Sequence, residues 1–144
     1  MNIKLYIIIL SYNKIEPTMK AIDSCVKSYP DAKIILVDNS ESLNVIDALK
    51  SKLKNYSNIK FIKNNINVGF SKGVNQGIRI ALEKNTEYIL LINDDAYLDK
   101  NCILQLVDVL EKNEKALLAG PTIFYDKYPN KIWHTGGYFN KLLG

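Results

Sequence analysis

Short apolar runs alternate with segments of helical periodicity along most of this chain, and each of the first four runs ends in a polar cluster. A β-branched-rich run of this kind suits a strand buried on both faces, as strands of a parallel sheet are. Ile3 to Leu10 reads as the first strand, Lys33 to Val37 as the second, Ile59 to Ile62 as the third and Tyr88 to Ile92 as the fourth. Between the first two, Ile15, Met19, Ile22, Val26 and Tyr29 recur at helical spacing, and Pro30 closes the segment. Leu43, Ile46, Leu49 and Leu53 stripe a second helix; Val74, Ile78, Ala81 and Leu82 stripe a third. Ile103, Val107 and Leu110 mark a fourth, with Asp99 as its expected N-cap. Ala116 to Phe124 reads as a fifth strand interrupted by Gly120-Pro121, and Ile132 to Phe139 as another strand or a hairpin arm. The alternation predicts an α/β fold, a mostly parallel sheet with helices on both faces. No repeat, low-complexity tract or linker interrupts it, so residues 1–144 read as a single domain.

Bulk properties exclude several classes. A chain of 144 residues buries a core without needing a disulfide or metal staple. With 47% hydrophobic and 24% charged residues it is neither disordered nor fibrous. The longest apolar run, Leu5 to Leu10, is too short to cross a bilayer, and no small-residue cleavage site follows it. Net charge is +4, but 18 of the 19 basic residues are lysines spread along the chain, and Arg79 is the single arginine. Nucleic-acid binders concentrate charge on one face and use arginine forks, so no nucleic-acid partner is expected. A modest positive field remains compatible with phosphorylated ligands and with peripheral association at an anionic membrane surface. Cys25 and Cys102 fall in helical segments without metal-ligand spacing, which suits buried or half-buried thiols in a reducing, cytoplasmic compartment. His134 has no nearby His or Cys in sequence to complete a zinc set.

In open α/β sheets, ligands bind beyond the carboxyl ends of the strands. The four strands run into Ser11-Tyr12-Asn13, Asp38-Asn39-Ser40, the block Asn64 to Gly73, and Asn93-Asp94-Asp95. Each cluster alone is compatible with a turn or a cap, because Asn, Asp, Ser and Gly favour such positions. Four on one sheet edge, two of them with aspartates directly after an apolar strand, point to a site. Asp94 and Asp95 are the sharpest feature: adjacent carboxylates repel unless a cation or donors compensate. Magnesium and manganese prefer oxygen ligands and are commonly held by one or two carboxylates plus substrate phosphates. A solvated pair opening a loop is the alternative. The segment Asn67 to Gly77 enters the third helix, and its glycines permit close backbone approach or positive φ. A helix start favours anions, and Lys72 adds a point charge for a phosphate. The segment is neither a P-loop nor a dinucleotide fingerprint, and a simple tight connection is its alternative reading.

Taken together, these residues resemble the family 2 glycosyltransferases of the GT-A, Rossmann-like fold. The pieces that carry the resemblance are YIIILSYNK, ILVDNSES, NNINVGFSKGVNQGI and YILLINDDAYLDKN, in order over about residues 3 to 139; the later IWHTGGYFN resembles the rhamnosyltransferase-like branch. The resemblance implies transfer of a sugar, with inversion, from a nucleoside diphosphate sugar to an acceptor hydroxyl. Tyr12 would flank the nucleobase and Asp38 would accept from a base N–H, as suits a UDP- or dTDP-sugar. Asp94 would bind the ribose or the donor sugar, joining Asp95 beside the metal, Mn2+ or Mg2+. Asp95 matches the last Asp of the family's D-x-D motif, and Asn93 stands at its first position. Asn67, Lys72 and Asn75 fall where the family contacts the diphosphate or supports its loop; for Asn75 an equal reading is an amide tie from loop to helix. The acceptor would be a glycan or a lipid-linked sugar, handled at the inner face of the membrane.

Family members also carry an acceptor-binding half with the carboxylate that deprotonates the attacking hydroxyl. No residue here matches it: Asp108, Glu111, Glu114 and Asp126 lie in no corresponding motif. The expectation is therefore the donor-binding part of such an enzyme, truncated relative to full-length members. A non-catalytic nucleotide-sugar-binding module is the second reading. A sugar-phosphate nucleotidyltransferase is the third, disfavoured because no glycine-rich loop follows the first strand.

Overall fold

The computed structural model describes residues 3–137. The chain divides into two compact units, Met1–Lys100 and Asn101–Gly144. In the first, elements alternate as expected: β1 (Leu5–Ser11), α1 (Glu16–Ser28), β2 (Lys33–Asp38), α2 (Leu43–Leu53), β3 (Ile59–Lys63), α3 (Phe70–Glu83) and β4 (Tyr88–Asn93). The four strands form one sheet in the order β3-β2-β1-β4, and every pairing is parallel.

Strand order fixes where the helices go. The β1-to-β2 and β2-to-β3 crossovers step in one direction across the sheet, whereas β3-to-β4 returns past β1 on the other side. Parallel crossovers are right-handed, so α1 and α2 cover one face and α3 the other. The α3 face is a cluster of Ile8, Ile35, Val37 and Ala81, with Leu10, Ile62 and Ile78 packed against it. Alternate residues of the same strands, Ile7, Ile9, Ile34 and Leu36, are also buried, as are Ile22 of α1 and Ile46 and Leu49 of α2. Burial on both faces is why β1 and β2 read as continuous apolar runs and do not alternate. Each fully buried aliphatic side chain contributes about 1.5–3 kcal/mol. The sheet therefore carries the stability, and the loops beyond its carboxyl edge are free to hold polar groups.

The second unit departs further from expectation. It holds α4 (Cys102–Lys112), β5 (Ile123–Tyr125) and β6 (Tyr128–His134). The residue that caps α4 is Asn101, whose carbonyl accepts the Gln105 N–H at 3.1 Å; Asp99 stands two residues too early. Asn101 makes no side-chain capping bond to the helix start, so the side-chain preference that singles out Asp99 in the sequence does not set where α4 begins. The expected strand from Ala116 shrinks to Ile123–Tyr125. Pro121 lacks an N–H for a ladder, and the apolar Leu117 and Leu118 are exposed. The last expected strand is an arm of an antiparallel hairpin with β5, starting earlier, at Tyr128, and ending at His134. Residues 138–139 of that expectation lie outside the described residues.

Close approach of α3 to β1 sets the site's geometry through two glycines. A Cβ on Gly77 would lie 2.6 Å from Ile8 Cγ2, and one on Gly73 would lie 2.5 Å from Leu10 Cδ1. Ile8 Cγ2 is a branch on its own Cβ and cannot swing aside. Gly77→Val is expected to lower unfolding free energy by about 2 kcal/mol or more, as overpacking does. Gly120, whose Cβ would meet nothing within 4 Å, serves as control: Gly120→Ala should stay within about 0.5 kcal/mol of the native chain. Urea unfolding measures both, and a neutral Gly77→Val would contradict this packing.

Candidate active site at the carboxyl edge of the sheet

The sheet order reverses at β1, whose neighbours β2 and β4 are reached by crossovers of opposite sense, and such a switch point opens a crevice at the carboxyl ends. Register brings the polar clusters together there: Ser11 pairs with Asp38, and Leu10 with Asn93. The loop leaving β1 is pinned from below. Ser11 Oγ and Thr18 Oγ1 are 2.9 Å apart, and Thr18 Oγ1 donates to the Lys14 carbonyl at 2.6 Å. Asn13 takes φ +55°, a left-handed conformation that Asn tolerates, and its N–H donates to Ser40 Oγ at 2.8 Å. Tyr12 is left 45% exposed at the crevice, while its backbone N–H donates to Asp94 Oδ2 at 3.4 Å.

Asp38 ends β2 fully buried. Its Oδ1 accepts from the Ser40 hydroxyl at 2.6 Å and from the Ser40 N–H at 3.3 Å. Its Oδ2 is buried with no hydrogen-bond partner among the described residues. A buried acceptor without a donor costs about 1–3 kcal/mol.

Asp94 and Asp95 follow β4. Asp94 is buried, and Asp95 is exposed with a side chain 55% accessible. Between them sits the Lys14 ammonium, with Nζ 3.3 Å from Asp94 Oδ1 and 2.7 Å from Asp95 Oδ2. The hydrogen bond to Asp95, aided by the charge of Asp94, outweighs desolvation and raises the Lys14 pKa above the ordinary lysine value. A cation thus already bridges the two carboxylates.

The block between β3 and α3 closes the crevice through amides. Asn39 Nδ2 donates to Asn67 Oδ1 at 3.1 Å and to the Gly69 carbonyl at 3.3 Å, while Asn39 Oδ1 accepts from Asn64 at 2.8 Å. Asn64 and Gln76 exchange two amide hydrogen bonds of 2.9 Å. Gly69 precedes α3 at φ +80° and donates its N–H to Asn67 Oδ1 at 2.9 Å. Asn67 is thus built into the loop. Lys72 and Asn75 stand exposed on α3, and the structure joins neither to the carboxylates. The amide tie from this helix to its loop is made by Gln76, one residue beyond Asn75.

Tyr12, Asp38 and Asp94 therefore line one edge with Asp95, as the sequence predicts, and Asn67 lies across it. Sequence reasoning assigned no role to Lys14, Asn39, Ser40, Asn64 or Gln76. Lys14 follows the polar cluster after β1 directly, but only the pairing of β1 with β4 puts it opposite the aspartates. A surface depression of about 460 Å³, lined by Lys20, Asp23, Lys27 and Lys100 among others, contains none of these residues.

The family model described as Glycosyl transferase family 2 matches residues 6–143. The chain belongs to that family. Within it, dTDP-rhamnosyl transferase RfbF of Shigella flexneri is 30% identical over 129 residues, covering 88% of this chain and 40% of that protein. The low-salt glycan biosynthesis hexosyltransferase Agl10 of Haloferax volcanii is 30% identical over 119 residues, 80% of this chain and 35% of that protein. Mannosyltransferase PcManGT from Pyrobaculum calidifontis, solved in complex with GDP-Man and Mn2+, matches with TM-score 0.67 at 15% identity, over 86% of this chain and 34% of that one. TarS 1-349 from S. aureus matches with TM-score 0.61 at 17% identity, over 85% of this chain and 40% of that one. The structural likeness shows a shared GT-A fold. This family 2 chain spans 40% or less of the length of each of these proteins.

The half-satisfied Asp38 makes a stability prediction. Asp38→Asn keeps the shape and an acceptor for Ser40 and exchanges a buried carboxylate for a neutral amide, whose burial costs less even without a partner. Its melting temperature is expected to match or exceed the native value. A drop of more than about 4 °C, the order of a 1 kcal/mol loss in a chain of this size, would contradict it.

Proposed function

We propose that this chain is the donor-binding part of a family 2 glycosyltransferase, holding a nucleoside diphosphate sugar across the carboxyl ends of β2, β1 and β4. The observation that carries the reading is the buried, unpartnered Asp38 Oδ2 on the same edge as the Asp94–Asp95 pair. The ends of β2 and β4 are two strand spacings apart, about 10 Å, a span suited to a pyrimidine base at one end and its diphosphate at the other. A base N–H reaching Asp38 Oδ2 would supply the donor that oxygen lacks, and Tyr12 offers an exposed ring to lie against the base. Uracil and thymine carry such an N–H, so the proposed donor is a UDP- or dTDP-sugar. RfbF, a dTDP-rhamnosyl transferase by name, supports the same choice.

Asp94 and Asp95 fit a divalent cation by donor chemistry and by the ammonium already seated on them. Asp95 would hold Mn2+ or Mg2+, with Asp94 shared between that ion and the ribose or sugar; PcManGT is solved with Mn2+. Such an ion neutralises the diphosphate as the sugar departs. Lys72, exposed in the first turn of α3, provides a further positive charge toward a phosphate, and Asn67 and Asn75 would flank it. The transfer is inverting, to a hydroxyl of a glycan or lipid-linked acceptor at the cytoplasmic face of a membrane. The 144 residues would make one donor-binding domain, and the base that deprotonates the acceptor is assigned to no residue of this chain. Among the described residues, no helix is long and apolar enough to cross a membrane.

Thermal shift tests the reading. UDP or dTDP with Mn2+ is expected to raise the melting temperature, whereas ATP and NAD are not. At a hundredfold excess over its dissociation constant, a ligand adds about 2.7 kcal/mol. Asp95→Ala should abolish the metal-dependent part of the shift and leave the apo melting temperature unchanged. Equal shifts with ATP would sink the pyrimidine reading, and an unfolded Asp95→Ala would make the aspartate pair a structural feature.

A further inference from the structure

Lys14 holds a position with consequences for how the proposed metal enters. Its carbonyl accepts from Thr18 Oγ1 at 2.6 Å and from Ser11 Oγ at 3.4 Å, and its loop is tied to Ser40 through Asn13. The backbone is therefore fixed, and only the side chain can move. That side chain is 42% accessible, with its ammonium 2.7 Å from Asp95 and 3.3 Å from Asp94. An ammonium at those distances fills the space in front of the oxygens that a divalent cation would need, since metal–oxygen bonds are about 2.0–2.2 Å. It also cancels one of the two negative charges that would attract the ion.

We propose that Lys14 gates the cation position: its ammonium and a divalent cation are mutually exclusive occupants of the Asp94–Asp95 pair. A nucleoside diphosphate resolves the competition. Its phosphates draw the flexible, partly exposed ammonium away from the carboxylates, and the freed pair accepts the cation beside the same phosphates. Lysine suits this exchange better than arginine would, because its ammonium is a point charge on a four-carbon flexible stem, whereas a guanidinium fork locks onto carboxylates bidentately. Without nucleotide the pair thus holds metal weakly, and metal and nucleotide bind with positive coupling that is reciprocal by thermodynamic linkage. The inference rests on the proposed assignment of the metal to Asp95, and it names Lys14 as a positioning residue that controls the order of assembly.

Free Mn2+ measured by electron paramagnetic resonance during titration of the native chain, Lys14→Gln and Lys14→Arg, with and without UDP, separates the possibilities. Without UDP, Lys14→Gln is expected to bind Mn2+ about tenfold more tightly than the native chain, within the usual range of coupling between sites. Lys14→Arg, which keeps the charge, should bind Mn2+ no more tightly than the native chain, and would guard against a general loosening of the loop in the Gln variant. UDP should tighten Mn2+ binding strongly in the native chain and much less in Lys14→Gln. If Lys14→Gln binds Mn2+ alone no better than the native chain, while UDP still promotes Mn2+ binding in both, the gate is overturned and the metal assignment stands. If no form binds Mn2+ even with UDP, the metal assignment falls and takes the gate with it.

Discussion

Strand β1 hydrogen-bonds on both sides, to β2 and to β4, and the candidate site hangs from that double pairing. Because both ladders are parallel, the carboxyl ends of three strands face the same way, and three polar clusters far apart in sequence become neighbours. The pairing depends on apolar burial on both faces of β1, from Ile7, Ile8 and Ile9. It also depends on glycines at 73 and 77 that let α3 lie against Ile8 and Leu10. A side chain at Gly77 would push the helix off Ile8 and with it the Asn67–Gly69 loop, which begins that helix, whereas one at Gly73 would meet the movable tip of Leu10. Packing in the core and polar geometry at the edge are one problem in this fold.

The edge itself is divided between groups that are satisfied within the chain and groups that are not. Asn39, Asn64, Gln76 and Asn67 close an amide network through hydrogen bonds of 2.8–3.3 Å, and they hold the loop. Asp38 is satisfied at one oxygen only, and Asp94 and Asp95 share one ammonium between them. Buried polar groups in folded proteins are nearly always paired, so the exceptions are where function is expected. The contrast separates the Asn residues, which build the crevice, from the Asp residues, which the crevice presents.

Much of this was legible in the sequence because the strongest signals were periodic. The apolar runs that became β1 to β4 and the stripes that became α1 to α3 were read at nearly their final positions, and the aspartates after β2 and β4 stood out against them. What escaped reading was pairwise. Nothing in the sequence says that Lys14 reaches two aspartates eighty residues away, because that contact requires knowing that β1 and β4 are neighbours. The sequence leaves Asn75 open between a diphosphate contact and an amide tie from loop to helix; the tie is made by Gln76, since helical phase at the start of α3 is not fixed by a segment containing three glycines. The chain after Lys100 is less legible: no side-chain cap at Asn101 marks the start of α4, and Leu117 and Leu118 mimic a strand that Pro121 interrupts. Recognition of the family added the functional meaning of the edge, which neither periodicity nor composition contains.

If the proposed function holds, nucleotide and cation meet at the carboxyl edge of β1, β2 and β4. Paramagnetic broadening of backbone amide signals by Mn2+, recorded by NMR with and without UDP, locates the ion and the ligand in one experiment. With UDP present, broadening is expected to centre on Tyr12, Asn13, Asp94, Asp95 and Ala96, together with UDP-induced shifts at Asp38, Asn39 and Ser40. Broadening centred on the depression lined by Lys20, Asp23 and Lys27, or UDP shifts that leave Asp38 to Ser40 untouched, would contradict it.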